Sequence, residues 1–119
     1  MKSYKIAIIG MGYVGLPLAL ALSKKFKVVG FDSLANRIDS LKKFKDLNNE
    51  HSIHEIKSRK KLLSFSKSHN DINDCNVYII CVPTPLKQKN KPDLSFLYDA
   101  TKLLLNKIKK NDLIIFEST

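Results

Sequence analysis

Three glycines near the start of the chain, in Gly10-Met11-Gly12-Tyr13-Val14-Gly15, have the spacing of a phosphate cradle. In such a turn Gly10 permits the tight reversal, Gly12 lets a diphosphate approach the backbone, and Gly15 lets a helix pack close to the strand before it. The helix that follows presents unpaired N–H groups and the positive end of its dipole, so the group received is an anion. Glycines at this spacing also occur by chance, and context decides between the two. Here an apolar run over residues 4–9 precedes them and dense apolar residues from Val14 to Leu22 follow, the strand–turn–helix order the chemistry needs. A tight strand–helix turn with no ligand is the plainer alternative.

Asp32 ends the next apolar run. From that position a carboxylate accepts hydrogen bonds from the ribose hydroxyls of an adenosine and repels a 2′-phosphate, so NAD is expected rather than NADP. The other reading is an aspartate that caps a helix or a turn, a role Ser33 can also fill. Arg37, one turn into the following helix, either lies over the adenine or ribose edge or is a solvated helix arginine.

Two further polar points fall at expected strand ends. Val82-Pro83-Thr84-Pro85 places one hydroxyl between two prolines, a stiff loop suited to line the middle of a cofactor or simply to leave the sheet. Glu117-Ser118-Thr119 sets polar side chains at the same sheet edge, within reach of a nicotinamide or a water. Cys75 and Cys81 fit no zinc spacing and flank or lie in an apolar run, so buried free thiols are expected. His51 and His54 lack further ligands at convincing spacing, and surface histidines with no metal are expected.

The elements that must position these residues alternate. Strands are expected over 4–9, 27–31, 62–66, 77–82 and 112–116, with helices over 13–25 and 34–44. Pro17 falls in the first helix's opening turn, where its missing N–H breaks no bond. A short helix is expected near 53–58, inside a polar stretch that is otherwise loop. A further helix should start with Ser95 as its N-cap and carry Leu97, Ala100, Leu104 and Ile108 on one face. Strands alternating with helices mean an α/β fold: one doubly wound, Rossmann-like parallel sheet of about five strands, occupying residues 1–119 as a single domain. The chain stops directly after a strand, where a loop is due, so it is expected to be the N-terminal part of a longer protein.

Composition removes several classes. The chain has 119 residues and 44% hydrophobic content, ordinary for a globular domain. No apolar run approaches the length of a membrane span, and the N-terminus lacks a signal peptide's h-region and cleavage site, so a cytoplasmic protein with no membrane partner is expected. The formal charge of +10 raises nucleic acid as a partner, but the lysines are scattered, mostly at helix ends, with no interleaved aromatic residues to stack bases. No nucleic-acid partner is expected.

Taken together, residues 5–19, Val29 to Asp32 with Arg37 and Ile38, Ile80 to Leu86, Pro92 to Ser95 and Glu117 to Thr119 resemble the UDP-glucose/GDP-mannose dehydrogenase family. The resemblance covers almost the whole chain and looks closest to the branch acting on UDP-N-acetylhexosamines, which makes uronic acids for surface polysaccharides. It implies an NAD-dependent oxidation of a nucleotide sugar's C6 alcohol to a carboxylate, by way of a cysteine thioester, in an enzyme that is a homodimer at full length. It also implies that residues 10–15 (Gly10, Met11, Gly12, Tyr13, Val14, Gly15), Asp32 and Arg37 bind the adenosine and diphosphate. Val82, Pro83, Thr84 and Ser118 would lie along the path to the nicotinamide, and Thr119 would help hold the catalytic water. The family is much longer: its catalytic cysteine and UDP-binding domain lie beyond Thr119, and neither Cys75 nor Cys81 matches the nucleophile. The segment from Asp46 to Glu55 lacks the glycine often found there. The isolated chain is therefore expected to bind NAD weakly and to catalyse nothing. The competing expectation, from a different class, is a free-standing module that senses NAD or NADH.

Overall fold

In a computed structural model that describes residues 3–117, the strands are β1 (Lys5–Ile9), β2 (Lys27–Phe31), β3 (Leu63–Ser66), β4 (Val77–Ile80) and β5 (Leu113–Phe116). They form one sheet in the order β3-β2-β1-β4-β5, and every pairing is parallel. This is the doubly wound α/β arrangement, and its strand order reverses between β1 and β4. β1, β2 and β4 are covered on both faces, which is why they read as continuous apolar runs rather than as alternating ones.

Four helices, α1 (Gly15–Leu22), α2 (Ala35–Lys42), α3 (Ile53–Lys57) and α4 (Ser95–Leu104), make the layers. Alternate residues of β1 feed two separate cores. Ile6 and Ile8 pack with Leu16, Ile38, Leu41 and Ile56 beneath the first three helices. Ala7 and Ile9 pack with Ile72, Tyr78, Ala100 and Leu104 on the α4 side. Tyr78 is fully buried there, its hydroxyl donating to the carbonyls of Cys75 at 3.0 Å and Ile72 at 3.3 Å.

Several element ends differ from the sequence expectation. α1 stops at Leu22, because Lys24, Lys25 and Phe26 turn back toward Ala21 and Leu22 and lead directly into β2. β4 ends at Ile80, although Cys81 still donates its N–H to the Ile9 carbonyl at 2.8 Å. Ser95 is not the N-cap of α4: Leu94 occupies that place, and the Asp93 carboxylate accepts the Ser95 N–H at 2.9 Å. Ile108 lies beyond α4 and is 40% exposed.

The polar stretch after α2 is well specified. Phe44 adopts φ 64°, so that its N–H reaches the Leu41 carbonyl (2.8 Å) while the Lys45 N–H reaches Ser40 (2.9 Å). These paired bonds close the helix end in a turn that normally uses glycine. Asn49 takes φ 56° in the segment where the glycine is missing, and asparagine tolerates that conformation. Ser52 then caps α3, its hydroxyl accepting the Glu55 N–H at 3.1 Å.

Candidate functional site

The glycine turn sits at the carboxyl edge of the sheet, next to the point where strand order reverses. Gly10 has φ 106°, and a Cβ there would lie 2.9 Å from the Cys81 carbonyl oxygen. A Cβ on Gly15 would stand 1.7 Å from the Gly10 carbonyl oxygen, a contact no rotamer relieves because both partners are backbone. Gly12 differs from both: a Cβ there meets no atom within 4 Å. Packing thus explains two glycines, and the third borders open space.

Among the described residues the N–H groups of Gly12, Tyr13 and Val14 meet no acceptor. The first turn of α1 carries no acidic residue to compete for them. Tyr13 and Val14 are exposed, at 70% and 39%. The turn is an anion cradle in its backbone chemistry.

Asp32 reaches this turn from the end of β2. One carboxylate oxygen accepts the Met11 N–H at 2.9 Å and the other accepts the Leu34 N–H at 3.0 Å. The two sequence readings of Asp32 are therefore compatible, since a carboxylate has lone pairs left after bracing a turn. Met11 offers a ligand no surface, which corrects its expected place among the cofactor contacts. Its side chain is fully buried against Gly30, its N–H belongs to Asp32, and its carbonyl accepts from Arg37.

Arg37 is not the solvated arginine of the alternative reading. Nε donates to the Met11 carbonyl at 2.6 Å and Nη1 to an Asp46 oxygen at 2.7 Å, with the side chain about 10% exposed. Asp46 also accepts the N–H groups of Asn48, Glu50 and His51, at 2.9, 3.0 and 3.1 Å. Burial by itself raises the Asp46 carboxyl, but the Arg37 hydrogen bond, the backbone donors and the Arg37 charge outweigh it and hold it below the usual carboxylate range. Sequence reasoning missed Asp46, which stands in a polar segment without periodicity; only the helix-ending turn at Phe44 brings it back to Arg37. His51 is mostly buried rather than on the surface as expected, its Nδ1 3.1 Å from Glu55, whereas His54 is exposed.

A cavity of about 440 Å³ opens beside the turn, bounded by Gly10 and Gly12, by Asp32 and Leu34, and by Val82 and Pro83 at the exit of β4. Its far wall is Phe96, Ala100 and Leu103 of α4, residues read from the sequence only as a core face or not at all. Thr84, next in the chain after Pro83, is half-buried and does not line the cavity. Ser118 and Thr119 lie outside the described residues. Cys75 and Cys81 are buried free thiols, and burial pushes each up to about 11, so neither is a thiolate near neutral pH.

Comparison with known proteins agrees with this geometry. Residues 4–119 match the model of the UDP-glucose/GDP-mannose dehydrogenase family, NAD binding domain. The chain is 43% identical over 119 residues to a UDP-N-acetyl-D-glucosamine 6-dehydrogenase of Pseudomonas aeruginosa, covering all of this chain and 28% of the relative. Among solved structures, a UDP-D-ManNAc dehydrogenase from Pyrococcus horikoshii superimposes with a TM-score of 0.84 at 32% identity, over 97% of this chain and 28% of that one. A GDP-mannose dehydrogenase from Pseudomonas aeruginosa, solved as a ternary complex, gives 0.86 at 26% identity, again over 97% and 28%. The chain thus spans under a third of the length of the relatives it matches.

Proposed function

Because the chain belongs to the UDP-glucose/GDP-mannose dehydrogenase family, as its NAD-binding domain, we propose that it holds the cofactor for oxidation of a UDP-sugar's C6 alcohol to a uronate, with a UDP-N-acetylhexosamine as substrate. The observation that carries the reading is the juxtaposition at the glycine turn. Gly12 faces open space, unpaired N–H groups follow it, and the Asp32 carboxylate stands beside a largely apolar cavity.

The residues fit a dinucleotide. The free N–H groups of Gly12, Tyr13 and Val14 would receive the diphosphate, Asp32 would accept from the adenosine ribose hydroxyls, and Val82 and Pro83, on the cavity wall, would lie along the path to the nicotinamide. NAD, when bound, supplies the acceptor for the hydride lost from C6. Arg37 serves the site from beneath, through the Met11 carbonyl. Thr84, Ser118 and Thr119 are assigned to the nicotinamide side by their resemblance to the family. Within the 119 residues neither thiol is suited to be a nucleophile, so this chain alone turns over no UDP-sugar.

Titration with NAD, NADP and S-adenosylmethionine by calorimetry tests the assignment. Binding of NAD, tighter than NADP and with no heat from S-adenosylmethionine, is the expected result. A preference for S-adenosylmethionine would refute it, and turnover of a UDP-sugar by these residues alone would refute the claim of inactivity.

A further inference from the structure

An arginine that follows the acid at the end of β2 is the ordinary counter-ion for a 2′-phosphate. Arg37 has that position in the chain, yet its guanidinium is turned away from it. The cavity bounded by Asp32, Ser33 and Leu34 does not include Arg37. Arg37 instead borders a second, water-sized recess under Gly12 and Tyr13, together with Asp46 and His51. Residues 32–36, Asp-Ser-Leu-Ala-Asn, carry no other cation.

Two acceptors hold Arg37 there, the Met11 carbonyl and Asp46, and Asp46 supplies the only charge. Its side chain is 1% exposed, and its two oxygens accept from Arg37 and from three backbone N–H groups. The backbone bonds fix the carboxylate in place, and the carboxylate in turn fixes the guanidinium. We propose that Asp46 is a positioning residue that sets cofactor selectivity. By keeping Arg37 beneath the glycine turn, it leaves the ribose edge with only the negative charge of Asp32, so that a dinucleotide with a 2′-phosphate finds no counter-ion. The inference rests on the reading of the site as a dinucleotide cradle.

Removing the Asp46 charge strands a buried guanidinium, and a long flexible arginine on the first turn of α2 then swings to solvent at the ribose edge. Asp46→Asn keeps the shape and, with its oxygen in the Oδ2 position, the acceptor for the Glu50 and His51 N–H groups, while its NH2 faces Arg37 and the Asn48 N–H. Measured by calorimetry on this chain, Asp46→Asn is expected to weaken NAD and to lower the NAD-over-NADP preference by about tenfold, the worth of one charge-assisted contact to phosphate. Added salt should reverse that gain in NADP binding. Arg37→Gln combined with Asp46→Asn should restore the wild-type preference, because the freed cation is gone.

An Asp46→Asn chain that loses affinity for both dinucleotides by the same factor would show a brace and no more, and would overturn the proposal. Should Asp46→Asn fail to fold, Arg37→Gln alone decides. An unchanged preference supports the proposal, and a preference altered more than about threefold places Arg37 at the ribose and overturns it. A wild-type chain that binds neither dinucleotide overturns the cradle reading itself, a result distinct from either of these.

Discussion

β2 and β5 are both short parallel strands that lie beside the central pair, and they end in opposite circumstances. β2 is flanked by β1 and β3, and all but its first residue is buried. Its last carboxylate is tied to Met11 and Leu34, and the loop beyond α2 is locked beneath the turn by Asp46. Among the described residues β5 has a partner on one side only, and leaves Leu113, Ile115 and Phe116 exposed at 52%, 37% and 57%. The side of the site proposed for the adenosine is thus built from contacts internal to this chain. β5 contributes few buried side chains among the described residues. The β2 side is thus the braced, rigid half of the described sheet, and the β5 side is the lightly packed one.

The largest test of that contrast sits inside the rigid half. Gly15→Ala forces a methyl group into the Gly10 carbonyl, and should destabilise the chain by about 3 kcal/mol or more in a urea titration. Gly12→Ala should leave the urea midpoint nearly unchanged while weakening NAD, since its methyl group meets only the space reserved for the ligand. If both variants unfold alike, Gly12 is structural and the contrast within the turn fails.

A smaller effect follows from Asp46. Its carboxyl lies below its ordinary value when folded, so its contribution is present above the unfolded value of about 3.9 and is lost as pH falls through the folded one. Thermal melts should show stability declining below about pH 4, with a shallower decline in Asp46→Asn. Asp74 is also lowered, chiefly by its hydrogen bond to Lys5, but that pair is exposed and should move the curve little. An acid limb identical in wild type and Asp46→Asn would remove Asp46 from the rigid half. The smallest effect is expected at β5, where Phe116→Ser should change stability by no more than about 0.5 kcal/mol. A loss several times larger would mean that β5 is supported as firmly as β2.

How much of this was legible in the sequence follows the same division. The strand–turn–helix order, Asp32 and the five-stranded sheet were readable because they depend on local period and on glycine chemistry. The role of Met11 was not, since side-chain direction within the turn is set by the cavity beneath Gly30 and leaves no mark on spacing. Arg37 was expected either over the adenine or ribose edge or in solvent, and its bond to Asp46 was not foreseen because Asp46 lies in a segment whose only signals are polar. Phe44 and Asn49, which take left-handed backbone on either side of Asp46, gave no signal of that bond either. Ser95 misled because Asp93 accepts the Ser95 N–H from outside the helix, so that the helix begins one residue earlier than a Ser95 cap would allow.

Phe44 carries a further consequence. An aromatic residue in left-handed backbone costs about 1–2 kcal/mol, and its partial burial against the core of α1, α2 and α3 offsets that cost. The turn it makes returns the chain so soon that Arg37 and Asp46 are only nine residues apart. A loop of that size closes in roughly 10–100 ns, far ahead of the long-range strand pairing that completes a parallel sheet. Met11, Asp32, Arg37, Asp46 and the backbone donors up to His51 all precede β3 in the chain. On a ribosome, the floor of the cofactor site can therefore begin to form while β4 and β5 are still being synthesised.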